Sequence, residues 1–245
     1  AVVGTRRATS YGREAARRLT AGIAAAGVTI VSGLARGIDA IAHQTALDSG
    51  SRTIAVLGSS VDVIYPPEHR KLAEEVADQG AIVSEFPLGT QPERTNFPIR
   101  NRLISGLSLG TLVIEAGIKS GALITTRFAA DQGRTVFAVP GPILSGNMEG
   151  NHQLLRDGAT LAARVEDVLD ELDLPSRRET LAARQLLPAS GEEGELMQQL
   201  SAEPRHIDEI ALDLGMNISH LSALLLELQL KGLVRNVGGQ HYVRA

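Results

Sequence analysis

Residues 28–43 read VTIVSGLARGIDAIAH. The run 28–32 is apolar at nearly every position rather than at every second one, as a strand is when both of its faces are covered. Gly33 and Gly37 then bracket Arg36, and IDAIAH opens a helical pattern. This strand, glycine-bearing turn and helix repeat along the chain. TLVIEAG at 111–117 is a second continuous apolar run, and further strands are expected at 1–5, 53–57, 81–85 and 135–139. Helical stretches are expected between them at 11–26, 37–49, 68–78, 99–107 and 122–132. Alternation of this kind predicts an α/β fold, a doubly wound, mostly parallel Rossmann-like sheet with right-handed crossovers. Function in such a sheet gathers at the carboxyl ends of its strands.

Of the 245 residues, 43% are apolar and 21% charged, so the chain is globular. It lacks an apolar run of 18 or more residues and a signal-type start, which predicts no membrane span and a cytoplasmic protein. With no cysteine, disulfides, thiolate metal sites and Cys nucleophiles are excluded. The six histidines show no metal-ligand spacing, so neither metal nor cofactor is expected. Net charge is −4, and any anion site must therefore be local. Residues 1–187 balance 20 Lys and Arg against 20 Asp and Glu, and 18 of those cations are Arg, the better fork for phosphate oxygens. Residues 188–245 hold 4 cations against 8 carboxylates.

A first domain over 1–172 is followed by a linker at 173–194, rich in Pro, Ser and mixed charge. Residues 195–245 read as helix, turn, helix and hairpin, the pattern of a small winged helix-turn-helix domain. Asn217 or Ser219 would cap its second helix, Gly232 would end it, and Gly238 and Gly239 would turn the hairpin. Leu221, Leu224, Leu225 and Leu228 form a core stripe, with Leu226 and Leu230 off it. The first residue already lies in a strand, so a preceding domain is expected.

Three turns suit an anion. GTRRATSYG at 4–12 offers Gly4 for tight turning, the Thr5 hydroxyl, and Arg6 and Arg7 just before a helix N-terminus. Gly33 and Arg36 precede the next helix. EAGIKSGALITTR at 115–127 sets Lys119, Ser120 and Gly121 before another. The plainer alternatives are glycines that serve helix–sheet packing and an ordinary Ser120 cap. Neither a dinucleotide fingerprint nor a Walker loop is present. All three turns fall on one edge of the expected sheet.

RTNFPIRNR at 94–102 belongs to the same edge. It reads as an extended cationic connection, the residue before Pro98 being pushed from helical geometry. Phe97 would stack a base, Arg94 and Arg102 would hold phosphates, and Asn96 and Asn101 would bond a base edge or cap the next helix. Alternatively Phe97 packs inward and the arginines are solvated. Acid–base candidates are sparse: Asp39 and His43, four apart on one helix face and able to pair with each other, and Glu115 at a strand end.

The segments AVVGTRRATSYG, IVSGLARGIDAIAH, TIAVLGSSVDVIYPPEH, IVSEFPLG, NFPIRNRLISGLS, VIEAGIKSGALIT, VFAVPGPI and GNHQLLRDGA resemble, in order and spacing, the DNA-processing protein A (Smf) family over about residues 1–172. The resemblance implies a non-enzymatic single-stranded-DNA-binding protein. Members form homodimers, protect incoming strands in natural transformation and load the RecA recombinase. The family's phosphate-gripping motif falls on Gly4, Thr5 and Arg6. Its basic-x-x-Phe segment falls on Arg94 and Phe97, with Arg100, Asn101 and Arg102 following, and its KSG element falls on Lys119, Ser120 and Gly121. Where many members carry another small hydroxyl, this chain has Ala122. Two other functions compete. A nucleoside-monophosphate phosphoribohydrolase of the same superfamily needs a PGGxGTxxE motif, whereas LSLGTLVIEAG has Gly110 and Thr111 without the PGG or a Glu at that spacing. A duplex-DNA regulator would need a basic recognition helix, and NISHLSALLLELQLKG has one Lys, one Glu and six leucines.

Overall fold

The computed structural model describes residues 1–174, 191–201, 203–230 and 233–244. The chain divides into two compact units, Ala1–Arg178 and Glu179–Ala245.

In the first unit, strands β1 (Val2–Val3), β2 (Ile30–Ser32), β3 (Thr53–Val56), β4 (Ala81–Val83), β5 (Gly110–Val113), β6 (Thr135–Ala138) and β7 (Thr160–Leu161) alternate with helices α1 (Ser10–Ala25), α2 (Ile38–Asp48), α3 (Arg70–Gln79), α4 (Asn96–Gly106), α5 (Ala122–Asp131), α6 (Glu149–Arg156) and α7 (Val165–Glu171). Every strand pair in this unit is parallel, in the orders β4-β3-β2 and β1-β5-β6-β7. β1 also lies against β2, where the Ser32 hydroxyl donates to the Val2 carbonyl at 2.6 Å. The chain thus winds outward from β1 to β4, returns to β5 beside β1 (Val2 opposite Leu112), and winds the other way to β7. That reversal is the topological switch point of a doubly wound sheet.

The apolar runs make sense in this sheet because neighbouring residues bury on opposite faces. Val2, Ile30, Leu112 and Ile114 join a core with Leu19 and Ile23 of α1 and Ile38 of α2. Val3, Val31 and Val113 join a second core with Ile104 of α4 and Ala122 of α5. Helix α1 shows why local sequence suffices. Thr9 caps it by accepting from the Gly12 N–H, Gly12, Ala16, Leu19, Thr20, Ile23 and Ala24 form its buried stripe, and Gly27 beyond its end takes φ 86°.

Two expectations change. The RTNFPIRNR segment is not extended, since α4 already begins at Asn96 and Pro98 is its third residue. Proline costs little there because first-turn N–H groups have no intrahelical partner. The preference of the residue before it for extended geometry is outweighed by the packing of Phe97, described below. Helices α6 and α7 and the two-residue β7 were not separated by periodicity, being short. The helical part of the second unit also begins before 195, because α8 spans Gly191–Gln199 and its first four residues fall within the expected linker. Most of that linker, 175–190, lies outside the described residues.

The second unit continues with β8 (Arg205–His206), α9 (Ile207–Leu214), α10 (Ile218–Leu230), β9 (Val234–Gly238) and β10 (His241–Arg244), in an antiparallel sheet of order β8-β10-β9. Leu221, Leu224, Leu225 and Leu228 are buried with Leu196, Ile207 and Ile210, while Leu226 is 58% exposed. Asn217 rather than Ser219 caps α10, its Oδ1 accepting the Ser219 N–H at 2.8 Å. Gly232, Lys231 and the Leu230 side chain lie outside the described residues. No single helix among those residues is long and apolar enough to cross a membrane.

Candidate nucleic-acid interface

At the switch point the turn after β1 is fastened to its neighbours. The Thr5 N–H donates to the Glu115 carbonyl at 2.7 Å, and the Ile38 N–H at the start of α2 donates to the Thr5 carbonyl at 3.2 Å. Gly37 permits this approach. Its φ is 77°, and a Cβ there would stand 2.3 Å from the Thr5 carbonyl oxygen. Gly4 is similarly close to Ile38. The Arg7 N–H donates to Thr5 Oγ1 at 3.2 Å, so that hydroxyl orders its own turn.

Phe97, on the first turn of α4, stands at the centre of the edge. Its ring packs on Gly58, where a Cβ would approach within 2.7 Å, and lies 5.7 Å from the Tyr65 ring. Two guanidiniums address it, Arg6 at 5.6 Å and Arg100 at 5.9 Å from the ring centroid. Such cation–π contacts contribute about 0.5–1 kcal/mol when exposed and about 2 when desolvated. The two cations differ. Arg6 is exposed, with no carboxylate partner among the described residues. Arg100 is only 4% exposed, and its guanidinium donates to the Gly33 carbonyl at 2.8 Å and to the Val56 carbonyl. Burial pushes its pKa down to about 10, partly opposed by the Asp39 carboxylate. Asp39 is itself raised by burial and drawn back by Arg100 and by the Ala35 and Gly33 N–H groups. Arg100 therefore clamps the ends of β2 and β3 beneath Phe97, rather than presenting a phosphate fork to solvent. Gly33 is buried for the same reason, since a Cβ would meet the Arg100 guanidinium at 2.7 Å. Arg6, Ala35, Phe97 and Arg100 line both of two adjoining clefts, one continuing to Arg36 and Tyr65 and the other to Asn101, Gly121 and Thr125.

The remaining site candidates separate by partner. Arg7, Arg94 and Lys119 are exposed and, among the described residues, pair with no carboxylate. Arg36 is held by Glu68 at 2.5 Å and Arg102 by Glu85, so both are half neutralised before any ligand arrives. Asn96 is buried at the head of α4, with Nδ2 directed to the Gln91 carbonyl at 3.5 Å, and does not face the cleft as a base-edge reader. Asn101 Nδ2 donates to the Gly121 carbonyl at 3.3 Å and ties α4 to the KSG turn. Ser120 Oγ accepts the Ala122 N–H at 3.3 Å, an ordinary cap-like bond, and Gly121 is exposed.

The acid–base candidates have structural duties. Asp39 and His43 do not bond each other: Asp39 accepts the Gly33 N–H at 3.1 Å, and His43 Nδ1 meets Thr53 Oγ1 at 2.7 Å. Burial drives the His43 pKa down to about 3. Glu115 is fully buried, with Oε2 accepting the Thr9 N–H at 2.9 Å under the start of α1. No cluster of metal-ligating side chains occurs among the described residues. An apolar cavity of about 200 Å³ at the opposite edge of the sheet, among Val2, Ile23, Leu112 and Phe137, is lined by no charged side chain. Tyr65 was missed as a partner of Phe97. Its signal is faint: one aromatic before the paired prolines 66 and 67, from a loop thirty residues away. In the second unit Arg205 is engaged by Asp213 at 2.6 Å, leaving Arg235 and Arg244 as exposed cations on the hairpin.

A family model described as DNA recombination-mediator protein A matches residues 1–173, and a DprA winged helix domain matches 180–240. The chain is 43% identical to Protein Smf of Escherichia coli over its whole length, covering 67% of that protein. It is 43% identical to the DNA processing protein DprA of Streptococcus pneumoniae over 71% of this chain and 61% of that one. It thus spans about two thirds of the length of these curated relatives. Among solved structures, DNA processing protein A from Streptococcus pneumoniae aligns with TM-score 0.65 at 42% identity, over 69% of this chain and 60% of that one. The Helicobacter pylori protein of the same name, whose structure concerns its single-stranded DNA binding mode, aligns with TM-score 0.64 at 32% identity, over 70% and 78%.

Proposed function

This chain belongs to the DNA recombination-mediator protein A family, and on that premise we propose that it binds single-stranded DNA along the carboxyl edge of its parallel sheet. The observation that carries the reading is the presentation of Phe97 between a fixed and a free guanidinium. A half-buried ring flanked by cations is a platform for a base whose phosphates sit alongside. Arg6, Arg7, Arg94 and Lys119 are the phosphate contacts, since no carboxylate occupies them. Thr5, Ser120 and Gly121 shape the two turns that carry three of those cations. Arg100, with Gly33 and Asp39, holds the platform. Arg36 and Arg102 contribute less, because Glu68 and Glu85 already hold them.

None of these groups matches the donor pattern of a particular base, so affinity depends little on sequence. A binding role rather than hydrolysis is supported by Glu115: it is fully buried under the start of α1, with Oε2 accepting the Thr9 N–H, where a catalytic carboxylate would have to reach the open cleft to meet a ribose. The family further supports a homodimer that protects incoming strands during transformation and hands them to the RecA recombinase. The winged helix adds little to strand affinity, with eight carboxylates against four cations over 188–245. The test is a titration against single- and double-stranded oligonucleotides at two salt concentrations. Preference for the single strand at both is expected, and equal or tighter duplex binding sinks the reading.

A further inference from the structure

The loop between β6 and α6 carries at its tip two side chains that no described residue of the first unit covers. Ile143 is 84% exposed and Leu144 96%, the highest values for large apolar side chains among the described residues. The base of the loop is held in place. Tyr11 Oη donates to the Pro140 carbonyl at 2.5 Å, His152 Nε2 lies 3.1 Å from the Gly141 carbonyl, and the Gly150 N–H donates to the Ala116 carbonyl at 2.8 Å. Met148 is buried against Gly141. Two adjacent aliphatic side chains at the tip of a firmly based loop gain little from folding and, with Ile118 close by, form a small contiguous apolar patch that is free to meet a ligand.

Cation-bearing turns feed both of the elements that flank it. The turn after β5 packs on this loop, Gly117 closely approaching the Gly146 carbonyl, and next along it come Ile118, 53% exposed, and the unpaired Lys119. On the other side, Tyr11 belongs to the helix that the loop of Arg6 and Arg7 feeds. Glu149, at the head of α6, is the one exposed carboxylate of the α6 first turn. Three aliphatic side chains fall far short of the roughly 800 Å² per partner of a stable protein interface, while apolar wedges beside phosphate-binding cations are a known way of meeting base faces.

The geometry points to a second nucleobase contact at Ile143 and Leu144, taking bases of the same single strand whose phosphates lie on Lys119 and Arg7. This rests on the single-strand reading of the Phe97 cleft and extends the track along the edge of the sheet. The test is fluorescence anisotropy of the full chain and its Ile143→Ser/Leu144→Ser variant, with oligothymidylates of about five and about twenty nucleotides, alongside sedimentation of both proteins. The variant is expected to lose about tenfold in affinity for the longer strand, with the salt dependence kept and the shorter strand bound as before. Wild-type-like binding of the longer strand, while Phe97→Ala weakens both, overturns the contact and leaves the cleft standing. An equal loss for both lengths, or a change in oligomeric state, also overturns it. If the unaltered protein binds neither strand, the single-strand reading itself fails.

Discussion

Replacing Phe97 separates a binding platform from a packing anchor. The ring is half-buried, seated on Gly58 and beside Tyr65, with Arg6 and Arg100 over it. Truncating a fully buried Phe to Ala costs about 3–5 kcal/mol, so a half-buried one costs roughly 2. Loss of a stacked base costs about 1–3 kcal/mol of affinity, a factor of about 5 to 150 in Kd. The two losses share a residue but not a cause, and Phe97→Leu divides them. Leucine keeps most of the apolar contact with Gly58 and offers no π face. Phe97→Ala is therefore expected to lower both stability and affinity, and Phe97→Leu to lower affinity with most of the stability retained. In both, the slope of log K against log salt should stay that of the parent, because no phosphate contact is removed. Anisotropy titrations at several salt concentrations, normalised to folded protein by circular dichroism, read all three quantities. If Phe97→Leu binds as the parent does, or if Phe97→Ala binds normally per folded molecule, the ring is an anchor and the platform argument is refuted.

Arg6→Ala and Arg94→Ala should each weaken binding and reduce the salt slope by about 0.7, the increment for one phosphate on a single strand, whereas Arg102→Ala, already paired with Glu85, should change it less. Unaltered slopes in the first two would remove them from the phosphate track. His43 titrates near 6.5 when unfolded and is held down to about 3 when folded, so its contribution is fully present above pH 6.5 and is lost as the pH falls. At pH 5 the loss is about 2 kcal/mol, and the difference in chemical-denaturation stability between the parent and His43→Asn should shrink by that amount between pH 7 and 5. A constant difference would contradict the buried neutral imidazole. Removing residues 188–245 should leave single-strand affinity within about threefold, less than 1 kcal/mol; a tenfold loss would place the hairpin cations Arg235 and Arg244 in the site.

The sheet was legible because continuous apolar runs such as 28–32 and 111–115 have one stable use, burial on both faces beside parallel neighbours. The turns were legible because glycine before a helix marks close backbone approach. Side-chain availability was less so. Arg36 and Arg102 look like free cations in sequence, and only the fold brings Glu68 and Glu85 to them from elements 32 and 17 residues away. Arg100 reads as one more surface arginine in a basic run, yet the i, i+3 spacing from Phe97 puts it on the inward face of α4, against carbonyls of two strands. The local rule for a residue before proline failed at Phe97 because ring packing on Gly58 is a tertiary contact. β7 has two residues and α7 seven, too few for any period to emerge.

Binding surfaces made of loops ordinarily belong to the least protected part of a protein, opening locally while the core stays closed. Here the turn after β1 hangs on Glu115 through two amides, Thr5 to its carbonyl and Thr9 to its carboxylate, and Gly33 donates its own N–H to Asp39. All three acceptors sit on buried residues, Glu115 just after the end of β5 and Asp39 at the start of α2. Freeing these amides for hydrogen exchange requires parting the turn from the end of β5, displacing the buried Glu115 carboxylate, or drawing Asp39 out of the core. They should exchange as slowly as the central strands in the absence of any ligand, and the edge proposed as the binding surface would be among the last regions of the first unit to open.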